Sequence, residues 1–379
     1  MSEKKTIKIN EKIFIELYNS GKTPFELEEL FGISERSRQR YESRLRQQGK
    51  IKYRKDLNAV KDKKYKNEEI FEEVKVYIDN AKSVYKQNLD VFSDVKLKTN
   101  WNKSKQNEDL ALVWSDMHTG MINKHPLTGD VTYNEEIQKD ELKALARGVV
   151  RFHELYKPSY NIETFYIFDL GDNITNDRIF EGQQSEITCG VGEQILKSFE
   201  YQSNFIKKML EIFPKVVMIK MAGNHGRSTP KFSNEEATSN FEYLQGQMLK
   251  ERFANNKRVE IIVPPIYRYT AEIRGHKYLL SHGNNIRGCT LNSIERAVKD
   301  LSTLAYKEFY DMMLIGHFHT ALKLRITPET TLLVNGCWIS MDDYAYTKLR
   351  KFSSATQYLF NISKKSACHN LQEINLNWK

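Results

Sequence analysis

Met221-Ala222-Gly223-Asn224-His225-Gly226-Arg227 follows an apolar run, Val216-Val217-Met218-Ile219-Lys220. The run reads as a buried strand. A Gly-Asn-His turn at its C-terminal end would present an amide oxygen and an imidazole to a crevice, the edge where open α/β sheets place their chemistry. Taken alone, the tripeptide reads just as well as a turn that uses Asn and Gly for their tolerance of positive φ. The rest of the chain decides between the two.

The pattern recurs four times. Leu110-Ala111-Leu112-Val113-Trp114 ends in Ser115-Asp116-Met117-His118, and Thr164-Phe165-Tyr166-Ile167-Phe168 ends in Asp169-Leu170-Gly171-Asp172-Asn173. Tyr278-Leu279-Leu280 leads into Ser281-His282-Gly283, and Asp311-Met312-Met313-Leu314-Ile315 into Gly316-His317-Phe318-His319. Helical stretches at 136–155 and 191–213 lie between the first three strands, and this alternation predicts an α/β fold. A lone histidine in such a place is most often a satisfied core residue. Here five of the chain's nine histidines (His118, His225, His282, His317, His319) stand at strand ends. Asp, His and Asn without Cys suit Mn²⁺, Fe²⁺ or Zn²⁺, because imidazole and carboxylate are both on offer. In Asp116-x-His118 and His317-x-His319, residues two apart on a strand end face the same side. Seven ligands exceed one tetrahedral ion and suit two ions sharing a carboxylate. Two ions roughly 3.5–4 Å apart can activate water and clamp the oxygens of an in-line phosphoryl displacement.

Those five motifs, in that order over about residues 108–345, resemble the signature of the calcineurin-like metallophosphoesterases. The resemblance implies a sandwich of two mixed β-sheets flanked by helices, in a catalytic domain spanning 108–379. It implies that Asp116, His118, Asp172 and His319 hold one ion. Asp172 would bridge to a second, held also by Asn224, His282 and His317. His225 would act on the substrate, as acid to the leaving oxygen or as a transition-state clamp. Two divalent ions are expected, with Mn²⁺ first and Fe²⁺ or Zn²⁺ as alternatives. The family's protein phosphatases continue Gly-Asp with an Asp-Arg-Gly pattern and follow Asn-His with Glu. This chain has Asn173-Ile174-Thr175-Asn176-Asp177 and Gly226-Arg227 instead. Its double-strand-break repair nucleases usually carry a His shortly after Gly-Asp, and here the next is His225. The chain looks most like the DNA repair exonucleases encoded by bacteriophages and their hosts. Arg178 and Arg227, just beyond two motifs, would hold a flanking phosphate or form ordinary surface ion pairs.

Charge separates a second module. Residues 1–66 hold 18 Lys and Arg against 10 Asp and Glu, a balance of +8, whereas the other 313 residues together carry +1. A basic module on a near-neutral body points to a polyanion partner. Helical patterns at 9–20, 25–31 and from Glu35 onward, with Thr23-Pro24 and Ser34 as starts and Gly21 and Gly32 as stops, give a helix-turn-helix outline. Arg38 stands where that motif wants an apolar residue. Arg36, Arg38, Arg40, Arg44 and Arg46 are spread around the third helix, which suits DNA phosphates more than a base-reading edge. Residues 67–107 read as a helical linker, and the near-3.5-residue period over 68–92 predicts a coiled coil joining two copies, or a helix packed on the main body. The tail segment Gln357-Tyr358-Leu359-Phe360-Asn361-Ile362 reads as a closing strand without chemistry.

Composition narrows the function classes. With 40% hydrophobic and 28% charged residues, the chain is a globular one. It has neither a membrane-length apolar run nor a signal core after Met1, so a cytoplasmic protein without membrane contact is expected. Its four scattered cysteines fit neither a zinc knuckle nor a disulfide framework. The leading expectation is a metal-dependent phosphodiesterase that acts on DNA, exo or endo. The alternatives are a phosphatase or small-nucleotide phosphodiesterase, and a DNA-binding regulator with a relic metal site.

Overall fold

In the computed structural model the first strand, β1 (Gln106–Trp114), is buried at every position from Glu108 onward. Its apolar run is unbroken because both of its faces are covered. Leu110, Leu112 and Trp114 enter one apolar cluster, while Ala111 and Val113 enter another. The structure describes residues 9–51, 92–94, 106–125, 127–180, 183–229, 235–286, 291–299, 309–340 and 354–377. The expected coiled coil at 68–92 lies outside these residues but for Phe92, as does most of the 67–107 linker. The chain divides into two compact units, residues 1–76 and 77–379.

In the larger unit, β1 pairs in parallel with β4 (Tyr160–Asp169), followed by β5 (Lys215–Lys220) and β6 (Val259–Ile262). On its other side lie the antiparallel β12 (Thr356–Ser363) and β13 (Ser366–Asn375), giving the order β13-β12-β1-β4-β5-β6. A second sheet joins β7 (Arg268–Ile273), β8 (His276–Ser281), β9 (Met312–Ile315), β10 (Leu322–Arg325) and β11 (Thr331–Val334) in the order β10-β11-β9-β8-β7. Its three inner strands are parallel and its two edges antiparallel. A short ribbon pairs β2 (Asn123–Lys124) with β3 (Val131–Tyr133). Phe168 and Ile219 of the first sheet share a cluster with Tyr278, Leu280 and Leu314 of the second, so the two sheets pack face to face.

Helices cover the outer faces. Leu145 and Val149 of α4 (Glu135–Tyr156), Phe205 and Met209 of α5 (Val191–Met209), and Leu249 of α6 (Phe241–Arg252) pack on the first sheet's outer side. Ile294 of α7 (Leu291–Lys299) packs with Met313 and Leu332 on the second. The fold is α/β, a sandwich of two mixed sheets flanked by helices, as the family resemblance implies. One expectation is corrected. The tail segment is the expected strand, β12, but it is not the sheet's edge: it lies between β13 and β1, with Gln357 fully buried. Among the described residues, no helix is long and apolar enough to cross a membrane.

The smaller unit contains α1 (Glu11–Asn19), α2 (Pro24–Phe31) and α3 (Glu35–Gln47) around Phe14, Tyr18, Leu27 and Leu45. Thr23 and Glu26 form a reciprocal capping box at the start of α2, and Gly32 ends it in the left-handed region at φ 58°. Arg38 is buried, its Nε 2.7 Å from the Glu28 carboxylate and its Nη1 on Glu42. The position that should be apolar is therefore filled by an internal ion-pair network, and Arg38 does not face a DNA phosphate. Arg46 joins the same network through Glu42 at 2.7 Å. Arg36, Arg40 and Arg44 remain exposed. Spaced four apart, they form one stripe rather than the all-round distribution expected.

Candidate metal centre

All five motifs emerge at the C-terminal ends of neighbouring parallel strands. β1, β4 and β5 deliver Asp116 and His118, then Asp172, then Asn224 and His225; β8 and β9 deliver His282, then His317 and His319. Five of these residues have left-handed backbone: Asp116 (φ 55°), His118 (48°), Asp172 (55°), His317 (68°) and His319 (52°). Non-glycine residues adopt that region at a cost, and such outliers gather at functional sites. The turns also approach closely. A Cβ on Gly171 would lie 2.3 Å from the Gly223 nitrogen, and one on Gly223 would lie 2.1 Å from Asp172 Oδ1. Both motif glycines are therefore spacers that let the Asp172 and Asn224 turns touch.

The side chains gather into overlapping groups. Asp116, His118 and His319 form one cluster able to hold a metal ion, and Asp172, His282 and His317 form another. A third, of His118, Asp172 and His225, links them. Asp172 thus stands between the two halves, where a bridging ligand belongs. His118 Nε2 is 3.1 Å from His319 Nε2, which is 3.5 Å from Asp116 Oδ1. The backbone N–H of His317 donates to both Asp116 oxygens at 3.1 Å.

The second half gives the sharper test of fit. His282 Nδ1 faces the Leu170 carbonyl at 2.9 Å and must carry its proton there. In the neutral ring Nε2 is then a lone pair. It nevertheless lies 2.8 Å from Asp172 Oδ2 and 3.0 Å from Asn224 Oδ1. Three electron-rich atoms converge on one buried point, which is what a cation's donor set requires, and the carbonyl behind Nδ1 is the usual way a ligating imidazole is oriented. With a proton as the only cation, burial lowers the His282 pKa, but the Asp172 carboxylate overrides it and raises it to about 9. Burial, with His282 beside it, pushes His317 down to about 3. Burial, with His225 and His319 nearby, holds His118 well below the ordinary histidine value. The donor set is thus mostly neutral imidazole and carboxylate, the ionisation states that bind divalent ions.

His225 is held differently. Its Nδ1 faces the Thr175 carbonyl at 2.7 Å, its backbone N–H donates to Asp172 Oδ1 at 2.7 Å, and its Nε2 is 4.0 Å from Asp172 Oδ2. At 19% side-chain exposure it is more open than Asp172 or His282, each at 1%. Arg178 is 68% exposed and pairs with Asp177 at 2.8 Å, the ordinary ion pair among the two readings. Arg227 is buried, with its guanidinium carbon 5.9 Å from the Phe180 ring.

No family model matches the sequence, and no curated protein matches it. Among solved structures, a predicted phosphoesterase from Streptococcus pneumoniae aligns with 71% of this chain and 98% of its own, at 10% identity and a TM-score of 0.29. Vps29 from Entamoeba histolytica, complexed with zinc, aligns with 71% and 99% at 11% identity and a TM-score of 0.30. Vacuolar protein sorting 29 from Cryptosporidium parvum aligns with 71% and 98% at 12% identity and a TM-score of 0.32.

The scaffold of the site was not read from the sequence. Glu242, fully buried in the first turn of α6, accepts the backbone N–H groups of Asp172 at 3.0 Å, Gly223 at 2.7 Å, and Asn173. One carboxylate therefore ties together the two turns that carry Asp172 and Asn224. Asn240, the N-cap of α6, donates to the Gly223 carbonyl at 2.9 Å. Lys220 and Asp169, both fully buried, pair at 2.6 Å, and Asp169 also holds Gly171 N and Asn173 Nδ2. Gln357 accepts from Ser115 N at 2.9 Å, steadying the Asp116 turn from β12. A signal existed for the ion pair, since Lys220 is a charge inside an apolar strand and must find a partner.

Proposed function

We propose that the chain is a two-metal phosphodiesterase that cleaves DNA. The observation that supports it most is the convergence of His282 Nε2, Asp172 Oδ2 and Asn224 Oδ1 on one buried point. Asp116, His118, Asp172 and His319 would hold one ion, and Asp172, Asn224, His282 and His317 the other. When bound, the ions supply Lewis acidity, an activated water and a clamp on the phosphate oxygens. The rest falls to the protein. His225, its Nδ1–H anchored on Thr175 O, aims Nε2 at the centre and would hold a proton for the departing oxygen. Glu242 and Asn240 keep the two central turns at their working distance. The buried site excludes bulk water around Asp172 and His282.

DNA is favoured as substrate because exposed Arg36, Arg40 and Arg44 form a cationic stripe and the phosphatase continuations are missing. The Mn²⁺-loaded protein should cut end-labelled duplex or single-stranded DNA and release little phosphate from a phosphopeptide. Replacing all three arginines by alanine should lower the log–log salt slope of DNA binding by up to about 2.7, at about 0.9 per phosphate contact. Brisk release of phosphate from the peptide with both DNAs intact would instead establish a phosphatase. An unchanged salt slope would detach the helical module from DNA.

A further inference from the structure

The loop after Asp172 carries an aromatic side chain that the chemistry above leaves unused. Phe180 is 51% exposed, yet its ring centroid lies 5.3 Å from the His225 ring and 5.9 Å from the Arg227 guanidinium carbon. The preceding residue, Ile179, is buried. A half-exposed ring is ordinary when it stands alone on a surface. This one is held in place beside the imidazole assigned to the leaving group.

The fixing is done by buried amides. Gln183 accepts the backbone N–H of Ile179 at 3.0 Å and of Phe180 at 3.3 Å, and donates to the Thr175 carbonyl at 2.7 Å. Asn176, left-handed at φ 73°, donates to the carbonyls of His225 at 2.7 Å and Arg227 at 2.8 Å. Gln194 accepts the N–H groups of Thr175 and Asn176 at 3.1 and 2.7 Å. The loop is therefore tied to the turn that bears His225, and Phe180 keeps its place relative to the reacting centre. A half-exposed aromatic ring with a cation over one face, one ring away from the proposed phosphate-cleaving centre, matches a planar π-system joined to an anionic phosphate.

We propose that Phe180 is the stacking platform for the nucleobase next to the scissile phosphate. This rests on the phosphodiesterase reading and adds to it what the centre recognises beyond phosphorus: a base face without regard to its edge, and hence any of the four nucleotides. The test uses the full-length, Mn²⁺-loaded protein and its Phe180→Ala and Phe180→Trp variants. One substrate is a short single-stranded oligonucleotide; the other is the same oligonucleotide with abasic nucleotides beside the scissile bond. Phe180→Ala should raise KM on the first by roughly 5- to 150-fold, the worth of one stacked base. It should leave the abasic substrate unchanged, and Phe180→Trp should restore the difference. A 2-aminopurine base in the oligonucleotide should lose fluorescence on binding to the wild-type protein and not to Phe180→Ala. Equal losses on both substrates, or on neither, would overturn the platform while leaving the nuclease reading intact. Phe180-dependent quenching without any cleavage would uphold the platform and remove the nuclease reading.

Discussion

Asp172→Ala is expected to lose bound metal and activity together. Asp172 belongs to one half of the centre and to the group that links it with the other, with Oδ2 2.8 Å from His282 Nε2 and Oδ1 holding the His225 N–H at 2.7 Å. Its backbone is held in the left-handed region, and its turn is clamped by Glu242. In the proposed two-ion centre, removing it would take a ligand from each ion and free the His225 turn. Loss of an outer partner of a metal ligand alone costs about 10–100-fold in metal affinity or activity, so removal of a shared ligand should exceed about 100-fold in both. Metal content after dialysis, measured beside the hydrolysis rate, checks this, and a thermal melt of the metal-free protein shows whether the variant folds. A folded variant that kept both ions would remove Asp172 from the bridge.

His225→Ala is expected to keep the metal and lose turnover by about 10²–10⁴-fold, the usual contribution of a positioned acid or base. The geometry makes this a sharp test, because His225 also lies with His118 and Asp172 in a group able to hold a metal ion. Its Nδ1 is committed to Thr175 O and its Nε2 stands 4.0 Å from the carboxylate, a longer reach than the 2.8 Å of His282. The same metal analysis separates the roles. Metal loss in His225→Ala would make it a ligand, and unchanged turnover would leave it without a role in the chemistry.

The ligand turns were legible because strand periodicity and donor chemistry coincide there. Each apolar run stops where a small residue and an Asp, Asn or His begin, and those ends all fall on one edge of the sandwich. What holds the turns was less legible, because each bond spans a long stretch of sequence. Glu242 reads locally as a first-turn acid complementing the helix dipole; only the fold sends its carboxylate to backbone N–H groups 19 to 70 residues away. Gln357 reads as a polar position in a strand, and its bond to Ser115 spans 242 residues. β13 escaped notice because a half-exposed edge strand has a diluted apolar pattern, Ser366-Ala367-Cys368-His369-Asn370.

The basic module teaches the converse. Charge counting finds five arginines on α3, but it does not show which of them the module spends on itself. Arg38 and Arg46 are bound by Glu42, with Glu28 also on Arg38, so the exposed arginines of α3 are a stripe of three. The Glu42 pairs are four residues apart on α3, but the reach of Glu28 from α2 to Arg38 depends on how the helices pack, with Phe14 of α1 against Phe31 and Tyr41.

We propose that these strand ends build one centre for two ions. Native mass spectrometry of the full-length protein, stripped of metal and reloaded with Mn²⁺, measures it directly. Two ions per chain in the wild type, and fewer than two in Asp172→Ala, are the expected result. A wild-type protein that takes up one ion or none at saturating Mn²⁺ would contradict it.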